Sequence, residues 1–218
     1  MDLMKVLKLD ILSVKPYFTI KNLIILFGMG IGYGALSKNP VTALATAQMF
    51  AILFSGYPFM VGEESGIDPL YKLFGISPKD VVKGRYLLAT LFVGSMILIG
   101  IVLAFIISLI FQINNGALTI LVTAPIVGLV TLFIIFMEYP IYFKYGYKKG
   151  KTLVTIPFLL LAVIVLASTF FANQLKVVTD FLLMNKIFSV SILLAIIIII
   201  GMILSMKLSN KFYSESDF

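Results

Sequence analysis

The sequence predicts an all-α integral membrane protein. It has six transmembrane helices, an amphipathic interfacial helix at the N-terminus and a short helix on the cytoplasmic side. Of its 218 residues, 61% are hydrophobic and 12% are charged, and the mean hydropathy is +1.10. A soluble domain is about half apolar and about a quarter charged. A chain this apolar therefore needs the bilayer as its solvent.

The charged residues bracket the apolar runs, and a spanning helix needs about 20 residues. The 52 uncharged residues after Arg85 are too many for one helix and are broken by the polar stretch 112–116. The first span is short and requires Lys21 to extend toward the lipid headgroups. The residues form a single transmembrane domain, 1–218, with spans at about 18–36, 41–61, 86–111, 117–143, 152–171 and 187–206.

The basic residues predict the orientation. Fourteen of the seventeen Lys and Arg residues lie in the N-terminus, the 62–85 and 144–151 connections and the tail. Only Lys38, Lys176 and Lys186 lie in the other connections. Because cytoplasmic segments carry the excess of positive charge, both termini are expected in the cytoplasm.

Two segments outside the spans have amphipathic character. Residues 1–16 place Leu3, Val6, Leu7, Ile11 and Val14 at helical spacing, which favours a helix on the inner leaflet that ends at Pro16. Residues 172–186 fit an amphipathic or re-entrant element and fit an extended neighbouring helix equally well.

The composition excludes several kinds of chemistry. Cys and His are absent, which removes thiol catalysis, imidazole bases and the usual zinc ligands, and no metal site is expected. The net charge of +7 lies between the spans rather than in a patch, so no nucleic-acid partner is expected. Gly146 and Gly150 before Lys151 are one residue too close for a phosphate-binding loop. No cleavable signal peptide is predicted.

Two features within the spans suggest specific roles. Gly28/Gly32 and Gly30/Gly34 form two pairs of small residues on different faces of the first span, which predicts close helix packing on both faces. Glu138 is the acidic residue inside an apolar run, where a carboxylate costs free energy. It is expected either to form a structural ion pair or to act as a gate on a substrate path.

The 62–85 connection contains two helix start signals. It opens with the acidic pair Glu63 and Glu64. Asp68 is expected to cap a helix that begins at Pro69 and stops at Gly75, and Ser77 to cap a second helix that runs into the third span. Exposed apolar side chains on this bend predict a surface for a soluble partner; they are Tyr71, Leu73, Phe74 and Ile76.

These motifs resemble a known family. Glu63-Glu64, the helix after it, the stretch Gly75 to Leu87 and the stretch Tyr139 to Gly150 are similar to the permease subunits of small bacterial ABC exporters of the second permease type. The chain looks most like the permeases that export phenol-soluble modulins and antimicrobial peptides. Ser77-Pro78-Lys79 departs from the order of proline and arginine commoner in that family.

The resemblance implies a half-transporter. Two permeases, identical or paralogous, would pair in the cytoplasmic membrane of a bacterium, and two cytoplasmic ATPase subunits would supply ATP and Mg²⁺ chemistry. Amphipathic peptides would be the cargo, and the excess of Lys over Arg suggests a Gram-positive source. The contacts to the ATPase would then come from a coupling helix at 68–74 and from the second inner connection at 144–151. By position they are Asp68, Leu70, Tyr71, Leu73, Phe74, Ile76, Lys148 and Lys149.

Other functions remain open at this point. A self-sufficient secondary carrier or channel would need a polar relay in the spans, and Glu138 is the residue that offers one. An ABC permease for a lipid or a small drug has the same sequence features. A membrane enzyme would need a nucleophile and a base together, and no such constellation is seen.

Overall fold

The computed structural model describes residues 2–170 and 187–215, with side chains described for 3–155, 196 and 198–215. Within these ranges the chain is helical and contains no strand. A single 3-10 turn at Lys15–Tyr17 follows the first helix. The helices are α1 (Asp2–Val14), α2 (Ile20–Ser37), α3 (Pro40–Ser65), α4 (Ile67–Leu73), α5 (Pro78–Ile110), α6 (Gly116–Phe170) and α7 (Ile187–Ser214).

Four helices are long and apolar enough to cross a membrane: α2, α3, α5 and residues 116–155 of α6. They contain the first four predicted spans, so the chain is a multi-pass helical membrane protein. Helix extends through most of 152–171 and all of 187–206, but most side chains there lie outside the described residues, and these two spans stay predictions. The segment 172–186 lies entirely outside the described residues.

The predicted connection at 144–151 is not an open loop. Helix α6 runs through it with one interruption, at Gly146, whose φ of 73° and ψ of 175° are non-helical. Glycine adopts positive φ without steric cost, so the helix can break at this residue and resume at the next one. The result is a bend in α6 rather than a flexible connection.

Helix α1 packs on the bundle through the face that the sequence analysis assigned to lipid. Val6, Leu7 and Val14 are buried, and Val6 lies against Gly84 of α5, where a Cβ would come within 2.7 Å of the valine side chain. The missing side chain at Gly84 lets α1 approach α5 closely, so this part of the apolar face packs on the bundle, while Ile11 stays exposed. The position of α1 relative to the bilayer remains a prediction.

Helix α3 lies at the centre of the bundle and packs against α2, α5 and α6. The C-terminal part of α7 is joined to α5 through Tyr86, whose hydroxyl hydrogen-bonds with Ser205 Oγ at 2.6 Å and Ser209 Oγ at 2.8 Å. Hydroxyl bonds between helices are one of the stabilising contacts available inside a membrane.

The glycines of α2 behave differently on the two faces. A Cβ at Gly30 would lie 2.8 Å from Leu103, and one at Gly34 would lie 2.7 Å from Ile107, so this face packs closely on α5 as predicted. Gly28 and Gly32 have no described atom within 4 Å of such a Cβ. Within the described chain, the second predicted packing face is open.

We expect Gly34→Leu to destabilise the purified chain by about 1–3 kcal/mol, because the added side chain overpacks the contact with Ile107. Gly32→Leu is the matched control and should leave stability close to that of the wild type. Thermal unfolding in detergent measures both. Equal destabilisation by the two variants would contradict the packing of α2 described above.

Candidate functional site

Helix α4 and the turns around it, residues 62–77, form a bend that we call the elbow; the end of the bundle where it lies is the elbow end. The helix begins at Ile67 after Gly66, which has a φ of 64°, and no side chain caps its N-terminus. Asp68 was therefore wrongly predicted as the cap, because Gly66, in the left-handed conformation, starts the helix two residues earlier. Gly75, with a φ of 67°, ends it as predicted.

The start of α5 agrees with the sequence analysis. Ser77 Oγ accepts a hydrogen bond from the backbone N–H of Asp80 at 3.2 Å, and Pro78 occupies the first helical position. This cap satisfies one of the unpaired N–H groups at the helix start. Because α5 continues without interruption to Ile110, the elbow is joined directly to a membrane-spanning helix.

The elbow exposes only part of the predicted docking surface. Leu73 is 80% exposed, Phe74 is 73% exposed and Leu70 is 44% exposed. Tyr71 and Ile76 were predicted to be exposed but are buried against the bundle, and so is Asp68. For Asp68 and Tyr71 the reason is the helical period: residues on one face of α4 turn inward, and those on the other face turn outward.

A buried ion cluster fixes the inward face of the elbow. Arg85 of α5 is 1% exposed, and its Nη2 donates to Asp68 Oδ1 at 2.6 Å. The guanidinium also lies 4.6 Å from the centre of the Phe59 ring. Tyr213 of α7 donates to the same Asp68 oxygen at 3.2 Å. Three helices therefore meet at one carboxylate of α4.

Asp10 brings helix α1 into the same cluster. Tyr71 donates its hydroxyl proton to Asp10 Oδ1 at 2.8 Å, and Asp10 Oδ2 lies 3.8 Å from Arg85 Nε. Burial raises the pKa of Asp10 from its ordinary 3.8 to about 6, against the opposing effects of the Arg85 charge and the Tyr71 hydrogen bond. Burial likewise raises the pKa of the Tyr71 hydroxyl above its usual range.

The sequence analysis did not find this cluster. One available signal was that Arg85 is the single arginine among sixteen lysines, because arginine is favoured for buried ion pairs. Another was the position of Asp10 on the apolar face of α1. Both α1 and the end of α7 reach this cluster, so the described chain begins and ends at the same end of the bundle.

Glu63 links the end of α3 to the break in α6. Its Oε2 accepts hydrogen bonds from the backbone N–H groups of Tyr147, at 2.6 Å, and Lys148, at 3.0 Å. A carboxylate at the start of a helical segment satisfies unpaired N–H groups and interacts favourably with the helix dipole. Lys148 and Lys149 follow directly and are exposed, as is Glu64.

A cavity of about 270 Å³ lies between these features. Its wall includes Glu63, Asp68, Arg85, Lys144 and Tyr147. Acidic and basic side chains are balanced around it. In the part of the chain that the structure describes, no three acidic side chains converge to hold a metal ion.

Glu138 is buried in the membrane-spanning part of α6. The Tyr142 hydroxyl lies 3.4 Å from Glu138 Oε2, in a long hydrogen bond one helical turn away. Among the described residues, no basic side chain forms an ion pair with Glu138. The ion pair predicted as one of its two roles is therefore not formed within this part of the chain.

The raised pKa of Asp10 predicts a pH dependence of stability. Because the folded chain holds the proton more tightly than the unfolded chain does, the free energy of unfolding should increase as the pH falls from about 7 to about 4. This contribution is on the order of 1–3 kcal/mol and should be absent in Asp10→Asn. Arg85, Asp68 and Tyr71 face the side chain at position 10 in both proteins.

Melting temperatures of wild type and Asp10→Asn across this pH range measure the effect. The difference between the two curves reports the contribution of Asp10. Parallel curves would contradict a buried, proton-binding Asp10.

The comparisons with known proteins agree with this architecture. A search of curated proteins and a search of solved structures each returned no match. The family model described as "ABC-2 family transporter protein" matches residues 5–214, which include every residue of the buried ion cluster around Arg85. That family forms the membrane permease part of ABC transporters, and membership implies association with ABC ATPase subunits. The chain therefore belongs to the ABC-2 family of transporter proteins and is a multi-pass permease subunit.

Proposed function

We propose that this permease is the membrane half of an ATP-driven exporter and that the exposed tip of its elbow docks into a separate ATPase subunit. The observation that carries this proposal is the exposure of Leu73 and Phe74 on a helix that Arg85 ties to the spanning bundle. Exposed large apolar side chains next to each other are typical of protein interfaces.

The way in which the elbow is attached to α5 suits the transmission of force from a docked subunit to the membrane. Asp68 is held by Arg85 at 2.6 Å, and the short turn 74–77 joins α4 to the spanning helix α5. Movement of a docked subunit would therefore act on α5 through this ion pair and this turn. Lys148 and Lys149 offer a second contact, and the Glu63 hydrogen bonds join that contact to the end of α3.

The basic segments support a cytoplasmic position for the elbow and for both termini, in the cytoplasmic membrane of a bacterium. The complete exporter would contain a second permease copy or a paralogue and two ATPase subunits that bind ATP and Mg²⁺. ATP hydrolysis is assigned to those subunits and not to this chain.

An amphipathic peptide, a toxin or an antimicrobial peptide, is the cargo we propose. Its support is the resemblance of the elbow and the second inner connection to peptide-exporter permeases. Apolar grooves of about 530 Å³ between α2 and α3 and about 340 Å³ between α3 and α6 are compatible with the apolar face of such a peptide. A lipid or a small apolar drug would fit the same grooves and is the alternative cargo.

Glu138 is proposed as a residue of the cargo path. With no basic partner among the described residues, its buried carboxylate is free to attract a cationic group on the cargo. A self-sufficient carrier would also use such a group, but membership of the ABC-2 family favours the ATP-driven reading.

Changing Leu73 and Phe74 together to Asp should abolish co-purification of the ATPase from native membranes, because two charges would replace the apolar tip of the elbow. The measurement is a pull-down of the tagged permease in mild detergent, followed by mass spectrometry and an ATPase assay. Leu36→Asp is the control, since Leu36 is as exposed but lies at the other end of the bundle. An ATPase retained by the double variant would place the docking surface elsewhere.

Replacing Glu138 by Gln should lower the export of a cationic amphipathic peptide about tenfold or more, while ATPase binding stays intact. The assay uses vesicles that contain the permease with its ATPase, and Glu64→Gln serves as the exposed control. Unchanged export would remove Glu138 from the path. Flux driven by a proton gradient through the permease alone, lost in Glu138→Gln, would instead establish a carrier.

A further inference from the structure

The Arg85 guanidinium at the elbow end faces two carboxylates and lies much closer to one of them than to the other. Arg85 Nη2 donates to Asp68 Oδ1 at 2.6 Å, which is a short charge-assisted hydrogen bond. Asp10 Oδ2 lies 3.8 Å from Arg85 Nε, which is an ion pair without a hydrogen bond. Asp68 belongs to the elbow helix α4, whereas Asp10 belongs to α1.

The two atoms of the longer contact are both unsatisfied. Neither Asp10 Oδ2 nor Arg85 Nε has a hydrogen-bond partner among the described residues, and both residues are 1% exposed. Buried polar atoms without partners are uncommon and cost free energy. A shift of about 1 Å would bring this pair into the range of a charge-assisted hydrogen bond.

Neighbouring contacts hold Asp10 close to Arg85, at a distance longer than a hydrogen bond. Tyr71 binds the other oxygen of Asp10 at 2.8 Å, and the contact of Val6 with Gly84 fixes α1 against α5. On the opposite side the guanidinium is confined by Gly62, where even a Cβ would lie 3.1 Å from Arg85 Nη2. These contacts keep the Arg85 guanidinium within reach of both carboxylates and inside the cluster.

We propose that Asp10 is a positioning residue that takes over the Arg85 guanidinium when the elbow moves and carries Asp68 away from it. The inference rests on the proposed function, which supplies the movement of α4 by a docked ATPase. Without a second acceptor, the displaced elbow would leave a buried guanidinium uncompensated, which is strongly unfavourable. Asp10 lowers the free energy of the displaced state, and α1 becomes part of the coupling apparatus.

A double-mutant cycle on the permease alone tests the exchange without any partner. Asp68→Asn removes the first counter-charge and weakens its hydrogen bond, so Arg85 should turn to Asp10. Asp10→Asn should then lower the melting temperature several-fold more in the Asp68→Asn background than in the wild type. An equal loss in both backgrounds would overturn the proposal, because it would make Asp10 independent of the Arg85 pairing.

Because the sequence contains no Cys, a second measurement remains informative where the double variant does not fold. Spin labels at Leu12→Cys in α1 and Leu73→Cys in α4 report the distance between the two helices, and both sites are exposed. Asp68→Asn should shift this distance to a second defined value. A broad distribution of distances would show an elbow with no defined second position. It would contradict the proposal that Asp10 replaces Asp68 as the partner of Arg85.

The functional readout separates positioning from folding. In vesicles with the ATPase, Asp10→Asn should leave ATPase binding unchanged and reduce cargo export per ATP hydrolysed several-fold, and Asp10→Glu should restore most of it. Export per ATP equal to the wild type would overturn the role in coupling. If the wild type binds no ATPase, the proposed function fails, but the melting and distance measurements still decide whether Arg85 changes partners.

Discussion

The arrangement of the elbow end depends on the buried guanidinium of Arg85, which needs counter-charges that no single helix supplies. Asp68 comes from the elbow helix and Asp10 from the N-terminal helix, and tyrosines from α4 and α7 bind their oxygens. Removing both carboxylates from Arg85 would leave its charge buried without a partner, which costs several kcal/mol. The two ion pairs therefore hold α1, α4 and α5 together, and the Tyr213 hydroxyl adds α7.

A second tie operates beside the first. The Glu63 carboxylate holds the first N–H groups after the Gly146 break in α6, directly next to the wall of the cavity that Arg85 also lines. Gly62 and Glu63 thus connect, as neighbours on α3, the ion cluster on one side and the bend of α6 on the other. The two surfaces that face outward at this end, the elbow tip and Lys148-Lys149, are consequently attached to the same central helix.

The membrane part of the molecule is packed by different means. Where α2 meets α5, glycines remove side-chain volume and let the helices touch, and where α7 meets α5, the Tyr86 hydroxyl binds two serines. The second glycine face of α2 and the grooves beside α3 are left open within the described chain. For a permease subunit that works in an assembly, open faces within the membrane are the surfaces that lipid, cargo or another subunit can contact.

Sequence alone determined what depends on local chemistry. The length and hydropathy of the apolar runs located the first four spans, Ser77 and Pro78 marked the start of α5, and Gly75 marked the end of α4. The acidic pair at Glu63 and the bend at Asp68–Phe74 carried the resemblance to ABC exporter permeases, and the chain belongs to the ABC-2 family. Each of these signals is carried by residues that are close together in the sequence.

Only the tertiary structure decided which side chains of those features face inward. Asp10 and Arg85 lie 75 positions apart, and their approach depends on how α1 seats on Gly84, which no local pattern encodes. For the same reason Tyr71 and Ile76 could not be known to be buried, and Asp68 was taken for a helix cap instead of the partner of a guanidinium. The roles of these charged residues depend on which partners the packing of the helices places next to them.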